Sequence, residues 1–436
     1  MKNLVYSDKQ SPWLTAVVAN SQGEIFELEG YASVGMSGSA LDPLSTDGTL
    51  PLPFGSELMF LPDRIPILYN VQDRRVEEMK RNPFFPSERI YPVAAFNSPG
   101  YLVTHSCAYR VVKDVKKLPL FSYGAVGWHQ EAFRSTVICV DRERRQDLRL
   151  MKNRHVLAGV ERMRKKLPDN RLRRHLETCA LTYGCPAGKN FFLGRYEAPL
   201  PTSSICNAEC LGCLSLQKHG ELSCSQERIS FTPQPEEIAA VALIHIERVT
   251  KGIVSFGQGC EGDPLLATHV IEPAVRLIRS KTARGTIHVN TNGGLTKELE
   301  RLISAGIDSI RISINSFRKA WYDAYFRPKG YNFSDVMNSI RLSLDKGLYV
   351  SINYLNRPGI TDTSEEMKCL VSFLKRYPIH RIQWRNLNFD PLHYYEAMHR
   401  AAPCGEARGV RKLLGRIRKA FPALSFGYFN PPKETW

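Results

Sequence analysis

The sequence lacks a hydrophobic run long enough to cross a membrane. The longest apolar stretch, residues 238–246, is interrupted by His245 and falls well short of the roughly 20 residues that a membrane helix needs. The first residues contain neither a sustained apolar segment nor a small-residue cleavage site, so we expect no signal peptide, no membrane association and a cytoplasmic location. Eleven cysteines in 436 residues are too few for a disulfide scaffold of this length.

The sequence also has too few acidic residues to balance its basic ones, and the formal net charge is +16. Residues 141–175 carry thirteen Lys or Arg against five Asp or Glu, and residues 408–419 carry six with no acid. Such runs are typical of solvated helix faces, which is the interpretation we favour. A polyanionic partner such as RNA is the alternative, although no aromatic-rich RNA-binding motif accompanies the charge.

The pattern of strands and helices changes along the chain. Short β-branched runs separated by Gly, Ser and Pro predict a mainly β accessory domain over residues 1–140. A basic helical linker is expected over 141–195, and a C-terminal helical extension over 391–436. Between them, residues 196–390 alternate six strand candidates with amphipathic helix candidates. This alternation predicts an α/β fold with a parallel sheet, in which ligand groups gather at the carboxyl ends of the strands.

Three cysteines lie close together directly after the first of these strand candidates. Cys206, Cys210 and Cys213 have the spacing C-x3-C-x2-C, and clustered cysteines in a cytosolic chain are more often metal ligands than disulfide partners. Three thiolates on one loop can hold an iron–sulfur cluster and leave one iron open. A structural zinc site, with Cys224 as the fourth ligand, is the alternative that the spacing leaves open.

This motif at the end of a first strand resembles the signature of the radical S-adenosylmethionine (SAM) superfamily. The resemblance implies a partial (β/α)6 TIM-like barrel, a [4Fe-4S] cluster on the three cysteines, and SAM chelated by the open iron. It also implies reductive cleavage of SAM to a 5′-deoxyadenosyl radical, which abstracts hydrogen from a substrate that the sequence does not identify. A reducing partner such as flavodoxin or ferredoxin is expected, with RNA or a peptide as possible substrate classes.

Further matches to the superfamily follow later strand candidates in the order that the superfamily requires. The resemblance implies that they bind SAM: an acid near its ammonium, an amide and a hydroxyl near the ribose or methionyl part, and an arginine on its carboxylate. The matched residues are Glu261, Gly262 and Asp263 after the second strand, Thr291 and Asn292 after the third, Ser313 on the fourth, and Arg327 downstream. Asp263 stands where the superfamily usually has glutamate, and Gly212 where it often has an aromatic residue.

Four other cysteines raise the question of a second cluster. Cys179, Cys185, Cys224 and Cys260 are possible ligands, but we favour the interpretation that they are small buried apolar side chains, as free cysteines usually are. The competing function for the whole chain is a non-catalytic, metal-binding, nucleic-acid-associated protein.

Overall fold

Residues 12–112, 115–217 and 222–436 are described by the structure, a computed structural model. Two compact units divide the chain. The first comprises the described residues up to 116 together with 122–138, and the second comprises 117–121 and the described residues from 139 to 436. The finer four-part division expected from the sequence stays a prediction.

The first unit is built from antiparallel strands. Its strand at Thr15–Ala19 is buried on both faces, with Ala16 and Val18 in one apolar cluster and Val17 and Ala19 in another. This two-period alternation is what a strand between two packed layers requires. The unit confirms the mainly β character expected for the N-terminal region. The strands are β1 Thr15–Ala19, β2 Ile25–Ser37, β3 Ala40–Pro43, β4 Leu50–Pro51, β5 Glu57–Phe60, β6 Arg64–Asn70, β7 Arg75–Glu78, β8 Tyr91–Phe96, β9 Tyr101–Val103, β10 Ser106–Cys107, β11 Tyr109–Val111, β12 Val126–His129, β13 Ala132–Ser135 and β14 Val137–Cys139.

Three helices open the second unit: α1 Asn153–Lys166, α2 Arg171–Leu181 and α3 Pro186–Leu193. Asn170 caps α2 by accepting a hydrogen bond from the Arg173 N–H at 2.8 Å. Proline at the first position of α3 and Gly194 in the left-handed conformation after its last residue fix the bounds of that helix. Helices α1 and α2 each bury one apolar stripe, and apart from the buried Arg173 their Lys and Arg side chains are exposed.

A curled parallel sheet with helical crossovers forms the rest of the second unit, and it confirms the predicted fold class. The central strands are buried on both faces, as expected for a parallel sheet covered by helices. Neighbours pair in chain order, and all are parallel. The strands are β15 Glu197–Pro199, β16 Ile253–Phe256, β17 Thr286–Thr291, β18 Ser309–Ile314, β19 Tyr349–Asn356, β20 Arg381–Asn386 and β21 Ser425–Gly427. The helices are α4 Pro235–Arg248, α5 Thr268–Lys281, α6 Thr296–Ala305, α7 Lys319–Phe326, α8 Phe333–Asp345, α9 Ser364–Arg376, α10 Pro391–Ala401 and α11 Val410–Ala420.

The sheet has seven strands where the sequence predicts six. The additional strand, β21, pairs with β20 and lies in the C-terminal segment that was expected to be helical throughout. A three-residue edge strand presents too short a pattern for recognition from sequence, and its pairing depends on a neighbour already in place. Helix α7 was also missed, because its aromatic run does not show the helical spacing of apolar and polar residues.

The second basic run lies on α11, which buries Val410, Leu413, Leu414 and Ile417 and turns its Lys and Arg side chains outward. This arrangement agrees with the solvated-face interpretation. Within the described residues, none of the helices combines the length and the apolar character that a bilayer span requires.

Candidate functional site

The cysteine loop, residues 206–213, follows β15 at the carboxyl end of the sheet. The thiols of Cys206, Cys210 and Cys213 are free and half-buried. Burial raises the pKa of the Cys206 thiol to about 12 and lifts that of Cys210 well above its usual range. Because ligand thiols bind metals as thiolates, metal binding here releases protons.

The spacing of these thiols bears on the choice between zinc and a cluster. Among the residues that the structure describes, these three cysteines do not form a group whose ligand atoms all lie within 4.8 Å of one another, and neither does any set containing the exposed Cys224. A single tetrahedral zinc ion needs thiolates only about 3.8 Å apart. The loop is therefore more open than a mononuclear zinc site.

One edge of the cysteine loop is fixed by the last turn of α7 and by the chain that follows this helix. The Leu211 N–H donates to the Tyr325 carbonyl at 3.0 Å, and the Lys329 N–H donates to the Asn207 carbonyl at 2.8 Å. This short ladder holds the backbone between the cysteines in one conformation.

The other edge rests against the segment after β16, where Gly262 allows a very close backbone approach. A Cβ at Gly262 would lie 1.8 Å from the Ile205 carbonyl oxygen, so only glycine fits. The Gly262 N–H donates to the Ser203 carbonyl at 2.6 Å, and the Asp263 N–H donates to the Ile205 carbonyl at 3.0 Å. The chain just before Cys206 is therefore held against this segment.

Asp263 connects this segment to the end of β17. Its buried carboxylate accepts hydrogen bonds from the Thr291 hydroxyl at 2.8 Å, the Asn292 N–H at 2.7 Å and the Leu265 N–H at 3.0 Å. Burial raises the pKa of the Asp263 carboxyl above its usual value, although the hydrogen bonds from these donors act in the opposite direction. Asn292 in turn donates its side-chain amide to the Asn207 side-chain oxygen at 2.7 Å. Asp263, Thr291 and Asn292 thus form one network that reaches the cysteine loop.

Glu261 is occupied entirely by backbone donors. One carboxylate oxygen accepts from the Thr202 and Ser203 N–H groups at 2.8 and 3.0 Å, and the other from the Gly257 and Gln258 N–H groups at 2.6 and 2.8 Å. Burial raises its pKa to about 7, while the four N–H groups act in the opposite direction. Glu261 therefore ties the ends of β15 and β16 together.

Arginines face the cysteines across a cavity that Cys210, Cys213, Arg228 and Arg327 help to line. The Arg228 guanidinium lies 3.5 Å from the Cys213 sulfur. Arg327 has a left-handed backbone (φ +46°), which costs a non-glycine residue about 1 kcal/mol. Its exposed guanidinium forms no ion pair with any residue in the described parts of the chain. The guanidinium groups of Arg228 and Arg327 thus line the same cavity as two of the thiols.

Ser313 and Gly212 occupy different surroundings. Ser313 is half-buried near the carboxyl end of β18, pairs with Asn353, and its hydroxyl has no hydrogen bond to a described residue. A Cβ at Gly212 would lie 3.1 Å from the Asn388 carbonyl oxygen and 3.3 Å from the Tyr325 hydroxyl. The Asn388 carbonyl and Tyr325 thus border the space beside Gly212.

The second unit therefore combines a parallel half-barrel with three thiols and an arginine, which has no ion pair to a described residue, beyond the carboxyl ends of its strands. Residues 200–370 match the family model described as the Radical SAM superfamily. That span includes the cysteine loop, Gly262, Asp263 and Arg327. Residues 200–370 of the half-barrel are thus similar to radical SAM domains, and members of that superfamily use a [4Fe-4S] cluster and SAM.

Curated relatives are similar over part of the chain. The mitochondrial GTP 3′,8-cyclase of Arabidopsis thaliana is 26% identical over 231 residues, which cover 50% of this chain and 51% of that protein. Human molybdenum cofactor biosynthesis protein 1 is 26% identical over 208 residues, covering 44% of this chain and 30% of that protein. The matches span between 30% and 54% of the relatives' own lengths. Among solved structures, Streptococcus suis SuiB bound to precursor peptide SuiA is similar with a TM-score of 0.37 and 13% identity, over 58% of this chain and 52% of that one.

The sequence analysis missed two residues of the site and one residue outside the cysteine loop. Asn207 and Arg228 contact the predicted network and a predicted ligand, but nothing in the local sequence marks them. His175 lies beside Cys179, with its Nε2 atom 3.5 Å from the sulfur. The four-residue spacing of this pair on α2 was the available signal.

Proposed function

We propose that the chain binds a [4Fe-4S] cluster on Cys206, Cys210 and Cys213 and cleaves SAM reductively to start radical chemistry on a substrate. The observation that carries this proposal is the open arrangement of the three thiols, two of which line a cavity with the Arg327 guanidinium, which has no ion pair within the described residues. Similarity to proteins named GTP 3′,8-cyclase supports SAM chemistry in the half-barrel. Because those matches cover half of this chain or less, they assign no substrate to it.

The residues of the cysteine loop suit a cluster. Three thiols supply three ligands, and the Arg228 guanidinium lies 3.5 Å from the Cys213 sulfur. When bound and reduced, such a cluster supplies the electron that splits SAM into methionine and a 5′-deoxyadenosyl radical, which takes a hydrogen atom from the substrate. A one-electron donor of the flavodoxin or ferredoxin type is the proposed partner for that reduction.

Arg327 is the proposed ligand of the SAM carboxylate. Its guanidinium can donate two parallel hydrogen bonds to a carboxylate, and such charge-assisted pairs are among the strongest in proteins. The strained backbone at Arg327 is consistent with a residue held for function, because strain of this kind concentrates at binding sites.

The acids have a different proposed role. Since Glu261 and Asp263 direct their oxygens to the chain's own donors, we assign them to positioning Gly262, Thr291 and Asn292 around SAM. Ser313, whose hydroxyl has no hydrogen bond to a described residue, is the proposed side-chain contact from β18.

Anaerobic reconstitution followed by dithionite and SAM tests the proposal. We expect a brown protein that forms 5′-deoxyadenosine, measured by liquid chromatography and mass spectrometry. A Cys369→Ala variant is the matched control, because Cys369 is a half-buried cysteine on α9 outside the site. A colourless, zinc-loaded wild-type protein that forms no 5′-deoxyadenosine would overturn the proposal in favour of a non-catalytic metal-binding protein.

A further inference from the structure

A second set of metal-ligand side chains lies outside the cysteine loop. His175 and Cys179 are one helical turn apart on α2, and Cys260 lies in the segment after β16. Their ligand atoms all lie within 4.8 Å of one another, and in the described parts of the chain no other three His, Cys, Asp or Glu residues meet this closely. We infer that this His–Cys group binds a single soft transition-metal ion, with zinc the expected metal.

The distances within the His–Cys group suit one ion. Tetrahedral zinc with Zn–S bonds near 2.3 Å and Zn–N bonds near 2.0 Å places two sulfurs about 3.8 Å apart and a sulfur and a nitrogen about 3.5 Å apart. The His175 Nε2 atom lies 3.5 Å from the Cys179 sulfur. Ligands of a cubane cluster bind different irons and are spaced more widely, so the His–Cys group is too compact for a second cluster.

The three donors of the His–Cys group come from two separate elements, α2 and the segment after β16. The spacing of His175 and Cys179 brings both side chains to one face of α2, as in helical metal motifs with ligands four residues apart. Cys260 reaches them from the half-barrel, and both cysteines are buried, with 2% and 5% of their surfaces exposed. Soft sulfur and imidazole donors at a dry site select zinc over magnesium or calcium.

Cys185 lies outside this compact group. Its backbone N–H donates to the Cys179 carbonyl at 2.9 Å, but its sulfur is not among the atoms that meet within 4.8 Å. Three protein donors leave a fourth tetrahedral position for water or an added ligand.

Metal binding at the His–Cys group would fix the segment after β16, which contains Glu261 and Asp263, in position. Cys260 directly precedes Glu261, whose carboxylate joins the ends of β15 and β16. An ion shared by Cys260 and α2 would fix that segment to the helix before the barrel. The metal site itself does not depend on the proposed function of the cysteine loop.

The test uses the full-length chain with Cys206, Cys210 and Cys213 replaced by alanine, so that iron–sulfur absorption is absent. We expect titration with Co²⁺ under anaerobic conditions to give one ion per chain, with thiolate-to-cobalt charge transfer and the visible bands of tetrahedral cobalt. Zinc should displace the cobalt and raise the melting temperature. Adding Cys260→Ser or His175→Gln should weaken cobalt binding at least tenfold, whereas Cys369→Ser should leave it unchanged.

His175→Gln keeps the test decisive if the buried Cys260→Ser variant fails to fold, because His175 is only half-buried. Circular dichroism checks that this variant retains its helices. In the reconstituted wild-type chain, elemental analysis should find one zinc in addition to the iron. Cobalt binding that ignores these substitutions, iron–sulfur absorption that depends on Cys179 and Cys260, or a Cys179–Cys260 disulfide in anaerobically purified protein would each overturn the inference.

Discussion

The cysteine loop and the His–Cys group contain similar ligands in opposite arrangements. The loop takes three cysteines from eight consecutive residues, yet its thiols stay open and half-buried. The His–Cys group draws on residues up to 85 positions apart, yet its donors are compact, and both of its cysteines are buried. Closeness in sequence therefore does not determine the kind of metal site. The kind of metal site depends instead on the distances between the donor atoms in the fold, which are longer in a cluster site than in a site for one ion.

The largest expected effect separates the two sites completely. Replacing Cys206, Cys210 and Cys213 with alanine should abolish 5′-deoxyadenosine formation, since no cluster remains to deliver the electron. The same variant should still bind one zinc. Iron and zinc analysis of one sample measures both outcomes, and loss of zinc together with iron would show that the two sites are not independent.

Gly262→Ala should disrupt the cysteine loop through the backbone. The added methyl would lie 1.8 Å from the Ile205 carbonyl oxygen, and overpacking of this kind costs about 1 to 3 kcal/mol. We expect a lower melting temperature and loss of most of the iron after reconstitution. Gly415→Ala is the control, because Gly415 lies in α11 with nothing within 4 Å of the added carbon. Full iron content in Gly262→Ala would show that the cysteine loop does not depend on the close approach of the Gly262 and Ile205 backbones.

Acid should weaken the scaffold that the two sites share. His288 is buried in β17, where its ring nitrogens contact the Ser309 hydroxyl at 2.7 Å and the Asn290 side-chain oxygen at 2.9 Å. Burial, with help from the nearby Arg311, lowers its pKa to about 3. As the pH falls below about 6.5, His288 is protonated in the unfolded chain but stays neutral in the folded one. The free energy of unfolding therefore decreases from about pH 6.5 down to about pH 3.

The expected loss from His288 is about 2 kcal/mol by pH 5. Chemical denaturation across this pH range measures it in the metal-free chain. His288→Gln should flatten that part of the profile, whereas the exposed His269→Gln should not. An unchanged pH profile of stability in His288→Gln would show that His288 does not cause this loss of stability.

Arg327→Gln should give the smallest effect, confined to SAM binding at the cysteine loop. Losing a charge-assisted carboxylate contact costs about 1.5 kcal/mol, or roughly tenfold in affinity. Iron and zinc contents should not change, and Arg416→Gln on the exposed face of α11 should bind SAM normally. Isothermal titration calorimetry on the reconstituted chain measures the affinity, and wild-type affinity in Arg327→Gln would assign the carboxylate to another residue.

The features that sequence analysis predicted well are local or periodic. C-x3-C-x2-C lies within one loop, and the strand–helix alternation repeats often enough to predict the α/β fold. The three-residue β21 offers no such repetition. The partners of Glu261 and Asp263 are backbone N–H groups whose positions follow from the fold, and Cys260 reaches His175 only once β16 and α2 are placed. Long-range contacts of this kind leave no spacing signal in one sequence.

Electron paramagnetic resonance of the reduced, reconstituted chain tests the central claim most directly. A [4Fe-4S] cluster on three cysteines has an open iron, so SAM should bind to it and change the spectrum of the reduced cluster. We expect that change in the wild-type chain and in Cys369→Ala, with about four irons per chain. A reduced-cluster signal that is identical with and without SAM, or that persists when Cys206, Cys210 and Cys213 are replaced, would contradict the assignment.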